Sequence, residues 1–174
     1  MSVRSEGSAT TATVRVTHPR IDHVELTFEV DCSTFCARLE GSLGRFTESI
    51  RSEATSPEDF RTRVEGLAGD HGLLLFDIRD HGALLRLVGR PANGKQYLIG
   101  NPLVAVRMTT LDLRAGLYAP ARVFVYQPAP GRTRIEYDLP STQFGQWGSP
   151  EILDVGERLD RTLLALIQSM AEST

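Results

Sequence analysis

Two tripeptides of the same composition, Asp70-His71-Gly72 and Asp80-His81-Gly82, place a carboxylate beside an imidazole at two points ten residues apart. Such pairs can hold a metal or move a proton near neutral pH, because free histidine titrates near 6.5. The residues between them argue against one shared site. Leu73 to Ile78 is a short apolar run bounded by turn residues, and its length reads as a buried strand. At about 3.3 Å per residue, such a strand holds the two histidines roughly 30 Å apart. Each tripeptide therefore reads first as a turn, in which Asp and Gly supply the local hydrogen bond and backbone freedom. His81 is kept as a catalytic candidate.

Cys32 and Cys36 stand four residues apart where a helix begins, so both sulfurs fall on one helix face. With Asp31 as the cap, the helix dipole lowers the Cys32 pKa while the Asp31 charge opposes it. A structural metal site needs about four ligands, so no metal is expected, and the pair reads as packing thiols with a reactive Cys32 as the alternative. Two cysteines are too few for a disulfide scaffold and suit a reducing compartment. The chain carries no serine-histidine-aspartate motif, phosphate-binding glycine loop, dinucleotide fingerprint or zinc signature, and no cofactor is expected.

The elements that position these residues follow from periodicity. Val24, Leu26, Phe28 and Val30 alternate with polar neighbours, the pattern of a half-buried strand, and Val14 and Val16 show a weaker alternation. After Asp31 the spacing turns helical through Cys36, Leu39, Leu43 and Phe46. Ser56 and Pro57 open a second helix that stops at Gly69, and Ala83 to Val88 reads as a short helix. Tyr97 to Ile99 forms a strand, and Asn101-Pro102 caps a helix reaching about Leu111. Arg122 to Gln127 and Arg132 to Asp138 flank a Pro- and Gly-rich turn as an antiparallel hairpin. The longest helix opens at Ser149-Pro150, with Ile152, Val155, Leu159, Leu163, Leu166 and Met170 as one stripe and the outer pairs Asp154 with Arg158 and Glu157 with Arg161. The order predicts an α+β fold, in which a single antiparallel sheet is packed by the long C-terminal helix and the N-terminal helices. A polar extension over 1–20 precedes a single domain over 21–174.

At 174 residues, 41% hydrophobic and 24% charged with a net charge of -3, the chain can bury a core unaided. No apolar run reaches the roughly 20 residues that cross a bilayer, and the first nine residues lack a secretory pattern, so a cytoplasmic protein without membrane contact is expected. Lys95 is the one lysine among 19 Lys and Arg residues. The arginines are scattered without a dense run, which argues against nucleic-acid binding and reads as the codon usage of a GC-rich bacterial genome. Arg107 and Arg122 stay as candidates for more.

The segments Tyr97-Leu98-Ile99-Gly100-Asn101-Pro102, Ala115-Gly116-Leu117 with Pro120, Arg122-Val123 with Val125-Tyr126, and Tyr137-Asp138 resemble the domain-of-unknown-function 302 family. The resemblance is specific over 94–143. It implies a TATA-binding-protein-like α+β fold, often found as a homodimer, without an assigned activity. Ala119 replaces the usual leucine before Pro120, and Thr47 to Gly72 reads as a helix added to the family pattern. The matched positions supply the candidate site. Asn101 caps a helix N-terminus that can seat an anion or carbonyl, with a purely structural cap as the alternative. Arg107, Arg122, Tyr126, Tyr137 and Asp138 can provide polar groups in an apolar cavity. The alternatives are an Arg122–Asp138 cross-strand pair and core tyrosines. Trp147, in the stretch Gln143 to Gly148, either plugs the core or forms a lid.

These readings favour a domain that binds a small apolar or amphipathic ligand between the sheet and the C-terminal helix. The alternatives are a cofactor-independent isomerase, lyase or hydrolase acting on a small carbonyl compound, with Asp138 or His81 as base and Tyr137 or Arg122 polarising the carbonyl, and a dimerisation module with a filled core.

Overall fold

The computed structural model describes residues 12–172. β1 (His23–Phe28) leads into α1 (Cys32–Ser42), the two-residue β2 (Gly44–Arg45), α2 (Glu48–Ser52) and α3 (Pro57–Leu67). There follow β3 (Leu74–Asp80), α4 (His81–Leu87), β4 (Gly94–Gly100), α5 (Pro102–Leu111) and a 3-10 helix (Leu113–Leu117). The hairpin β5 (Ala121–Tyr126) and β6 (Thr133–Asp138) precedes α6 (Pro140–Gly145) and the long α7 (Pro150–Glu172). The fold is α+β, with six strands in one sheet ordered β1-β6-β5-β4-β3-β2. The sheet is antiparallel except at one edge, where β2 runs parallel to β3. That departure from a wholly antiparallel sheet follows from connectivity, because α2 and α3 form a crossover that returns the chain in the same direction.

Alternation in the strands decides which side chains meet the core. Tyr97 pairs with Val123, Val123 with Tyr137, and Tyr137 with Val24, so one row crosses four strands on one face. That face is covered by α1 and α7, whose Phe35, Leu39, Leu163, Leu166 and Ile167 are buried against it. The opposite face carries Glu25, Arg122, Phe124, Tyr126, Arg134 and Glu136, and there His81 at the start of α4 meets the Phe124 ring edge-on with centroids 5.7 Å apart. The stripe of α7 is buried as expected, with Leu159 half-buried. Asp154 and Arg158 meet at 2.8 Å, whereas Glu157 and Arg161 form no ion pair, a small matter at an exposed surface.

Several expectations are corrected. The α1 stripe ends at Ser42 rather than reaching Phe46. Gly44 passes so close to α3 that a Cβ there would lie 1.8 Å from the Leu67 carbonyl oxygen, which fixes this residue as glycine and sets the chain into β2. Phe46 instead stacks on Phe76, centroids 4.7 Å apart. Val14 and Val16 form no strand and are exposed, and residues 1–11 of the polar extension lie outside the described residues. The stretch Gln143 to Gly148 is not a free loop: α6 occupies its first half, and Gln143 and Phe144 are buried. Among the described residues, no helix is long and apolar enough to cross a membrane.

Candidate functional site

The C-terminal end of β4 opens onto an apolar cavity of about 320 Å³. The cap of α5 begins its wall: Asn101 Oδ1 accepts the Leu103 N–H at 2.8 Å, and its amide donates to the Gly72 carbonyl at 2.8 Å. Pro102 in the first turn fits the fixed backbone angle required there. From that start α5 turns Ala105 and Met108 toward the space, while Phe60, Phe76, Phe144 and Leu159 approach from α3, β3, α6 and α7. Among its lining residues, the only polar side chains are Arg51, Asn101 and Thr109. Asn101 is committed to the cap, and the Thr109 hydroxyl donates to the Ala105 carbonyl at 2.9 Å. Arg51, exposed and paired with Glu48, is the charged group at the cavity.

The expected seat between the sheet and α7 is filled by Leu163, Leu166 and Ile167, so the space lies instead between the sheet end and α5. Of the candidate ligand residues, only Asn101 lines it. Arg107 is exposed on α5, beside a small pocket near His71 and Arg158. Trp147 packs on Tyr118 with centroids 6.0 Å apart, under the Arg114 guanidinium, and lines an open groove with residues 15–22 rather than lidding the cavity.

The proposed acid–base residues are likewise dispersed. Tyr137 and Asp138 are neighbours on β6, so one faces the core and the other the opposite side, and they cannot act on one substrate. Burial pushes the Tyr137 hydroxyl up from its ordinary value. Asp138 does not pair with Arg122. It meets His23 at 2.8 Å, its direct register partner across β1, and Glu136 stands 3.5 Å from the other ring nitrogen. The Asp138 hydrogen bond raises the His23 pKa, with Glu136 adding to it and burial opposing. Tyr126 donates to Glu136 at 2.7 Å on the same face. Among the described residues Arg122 makes no ion pair, and His71 and His81 lie at opposite ends of β3 with no group of three potential metal ligands near either.

Similarity to known proteins corroborates the fold. The family described as "Domain of unknown function DUF302" matches residues 48–170, more than half of the chain. This chain belongs to the DUF302 family. The matched residues include α2 and α3. A solved structure described as an uncharacterized conserved protein DUF302 from Bacillus stearothermophilus aligns with a TM-score of 0.59, covering 86% of this chain and 98% of that one at 18% identity. At that identity the likeness establishes the fold alone. No curated protein matches the chain.

Sequence reasoning missed what lies at the other end of β4 in this DUF302 domain. Lys95 Nζ and the Tyr97 hydroxyl both donate to Glu40 Oε1, at 2.9 and 2.8 Å. Lys95 is two residues from Tyr97 and so shares its core-facing side, a placement that the strand period alone could have flagged.

Proposed function

We propose that this DUF302 protein binds one small apolar or amphipathic molecule in the cavity between the sheet end and α5. The apolar body lies among Phe60, Phe76 and Phe144, and an acidic end meets Arg51. The observation that carries this reading is a space of about 320 Å³ whose wall is apolar apart from Arg51, Asn101 and Thr109. That volume lies at the lower end of the roughly 300–1,000 Å³ typical of small-molecule sites. Binding without chemistry is favoured over a carbonyl-transforming enzyme because none of those three groups is a proton acceptor at neutral pH. Native mass spectrometry of the purified protein, with displacement of an anilinonaphthalene sulfonate probe by medium-chain fatty acids, tests the reading. One ligand per chain, displaced stoichiometrically, supports it; a probe that binds without competition refutes it.

A homodimer is proposed as well, supported by Leu111, Leu113 and Leu117, which are 57%, 82% and 74% exposed close together along the chain. Sedimentation of the wild type and of Leu113→Glu/Leu117→Glu checks this, and a wild type that sediments as a monomer at every concentration removes it.

A further inference from the structure

Beneath the first turns of α1, the core-facing side of β4 reaches the surface and side chains of unlike chemistry converge. Cys32 and Cys36, 3% and 6% exposed and both reduced, line a pocket of about 230 Å³ with Glu40 from the same helix, Lys95 from β4, Asp80 from the end of β3 and Arg86 from the last turn of α4. Its volume is the share of about seven or eight waters, so it admits only a compact molecule. The position of Lys95 is informative. It is the one lysine in a chain that otherwise uses arginine, and it stands on the core-facing side of β4, where its ammonium meets Glu40 at 2.9 Å. We propose that Cys36 is a nucleophilic thiol that captures small soft electrophiles, specifically α,β-unsaturated carbonyl compounds, with Cys32 as its hydrogen-bonding neighbour and Lys95 as the cation facing the bound carbonyl.

The charged and titratable groups around this pocket are Asp31 at the cap of α1, Cys32 and Glu40 on α1, Lys95 and Tyr97 on β4, Asp80 at the end of β3 and Arg86 in the last turn of α4. The Cys32 thiol, donating toward Cys36, lowers it to about 7 against the opposing effect of burial. Lys95 lowers it further, and Glu40, which accepts the Tyr97 hydroxyl hydrogen bond, opposes. Cys32 is pushed up by the same interaction, by burial and by the Asp31 charge. Residues four apart on a helix hold their Cβ atoms about 5–6 Å apart, whereas a disulfide needs about 3.5–4.5 Å. The helix therefore keeps both sulfurs reduced. In the addition, the Cys36 lone pair forms a bond to the β-carbon. The carbon–carbon π pair moves to the α-carbon and carbonyl oxygen as an enolate beside Lys95, and a solvent proton at the α-carbon completes the adduct, with nothing oxidised or reduced.

The test is limited alkylation of the full-length protein by N-ethylmaleimide between about pH 5 and about pH 9, read by intact mass and peptide mapping. Cys36 is expected to label first, at a rate rising through a midpoint near 7. Cys32→Ala, which removes the donor, should move that midpoint toward the free-thiol value of about 8.5 and slow labelling at neutral pH by about tenfold. Lys95→Met should raise the midpoint while circular dichroism reports an intact fold. Labelling of Cys32 ahead of Cys36, a wild-type midpoint at the free-thiol value, or no labelling of either thiol while the denatured chain reacts fully overturns the proposal.

Discussion

Filling the apolar cavity from inside distinguishes a binding space from a packed wall. Ala105 lies half-buried on the α5 side of that space. Ala105→Leu adds three carbons, each worth about 0.8 kcal/mol when buried, or about 2.4 kcal/mol together. Ordering the longer side chain costs about 0.5–1 kcal/mol, and leucine nearly equals alanine in helix propensity. The net gain is about 1.5 kcal/mol, which for a domain of this size raises Tm by roughly 3–6 °C. The space of about 320 Å³ is the share of about ten waters, so three carbons enter without forcing neighbours apart. Urea and thermal unfolding followed by circular dichroism measure the gain, and a fluorescent-probe titration on the same samples should show affinity reduced about tenfold or more. A variant destabilised by about 1–3 kcal/mol, the signature of overpacking, would show that the wall is already filled and refute the reasoning. So would a stabilised variant that binds probe as the wild type does.

Other perturbations bear on the elements around the site. Asn101→Ala removes the cap of α5 and its bond to the Gly72 carbonyl, so urea unfolding should register a loss of about 1–2 kcal/mol, part of which Asn101→Asp restores through the cap alone. Gly156→Ala places a Cβ 2.7 Å from the Ser141 Cα, forces α7 off α6, and should cost about 1–3 kcal/mol in thermal unfolding. The His23 ring should titrate above 6.5 by NMR, because its Asp138 hydrogen bond favours the charged form over the opposing effect of burial. With the folded value raised, the contribution is full below about pH 6.5, the unfolded value, and is lost as pH rises through the higher folded value. At a site with 46% of the His23 side chain exposed, the contribution is at most a few tenths of a kcal/mol. Asp138→Asn should return the His23 midpoint toward 6.5, and an unmoved midpoint would mean that the pair does not form.

Elements with a long period or an explicit cap were legible in the sequence. The stripe of α7 runs over about five turns, and the start of α3 is written in Ser56 and Pro57, where the Ser56 hydroxyl accepts the Asp59 N–H at 3.1 Å. β2 has two residues and so no period to read, and it exists because Gly44 can press against the Leu67 carbonyl. α6 was hidden by Gly145, Gln146 and Gly148, which look like loop residues, and it is held by burial of Phe144 and the close seat of Ser141 on Gly156. Asp138 had two strand neighbours, and only the register of β1 makes His23 rather than Arg122 its partner. The cap at Asn101 was visible, but the cavity beside it is built from residues of eight elements that no local pattern brings together. Lys95 was visible only as a count, and its meaning came from Glu40, 55 positions away.

A crystal structure of the protein grown with saturating octanoate tests the central claim most directly. The account predicts the hydrocarbon chain lying against Phe76, Ala105 and Phe144, with the carboxylate at Arg51. A map in which those side chains close the space, with no octanoate between the sheet end and α5, would contradict it.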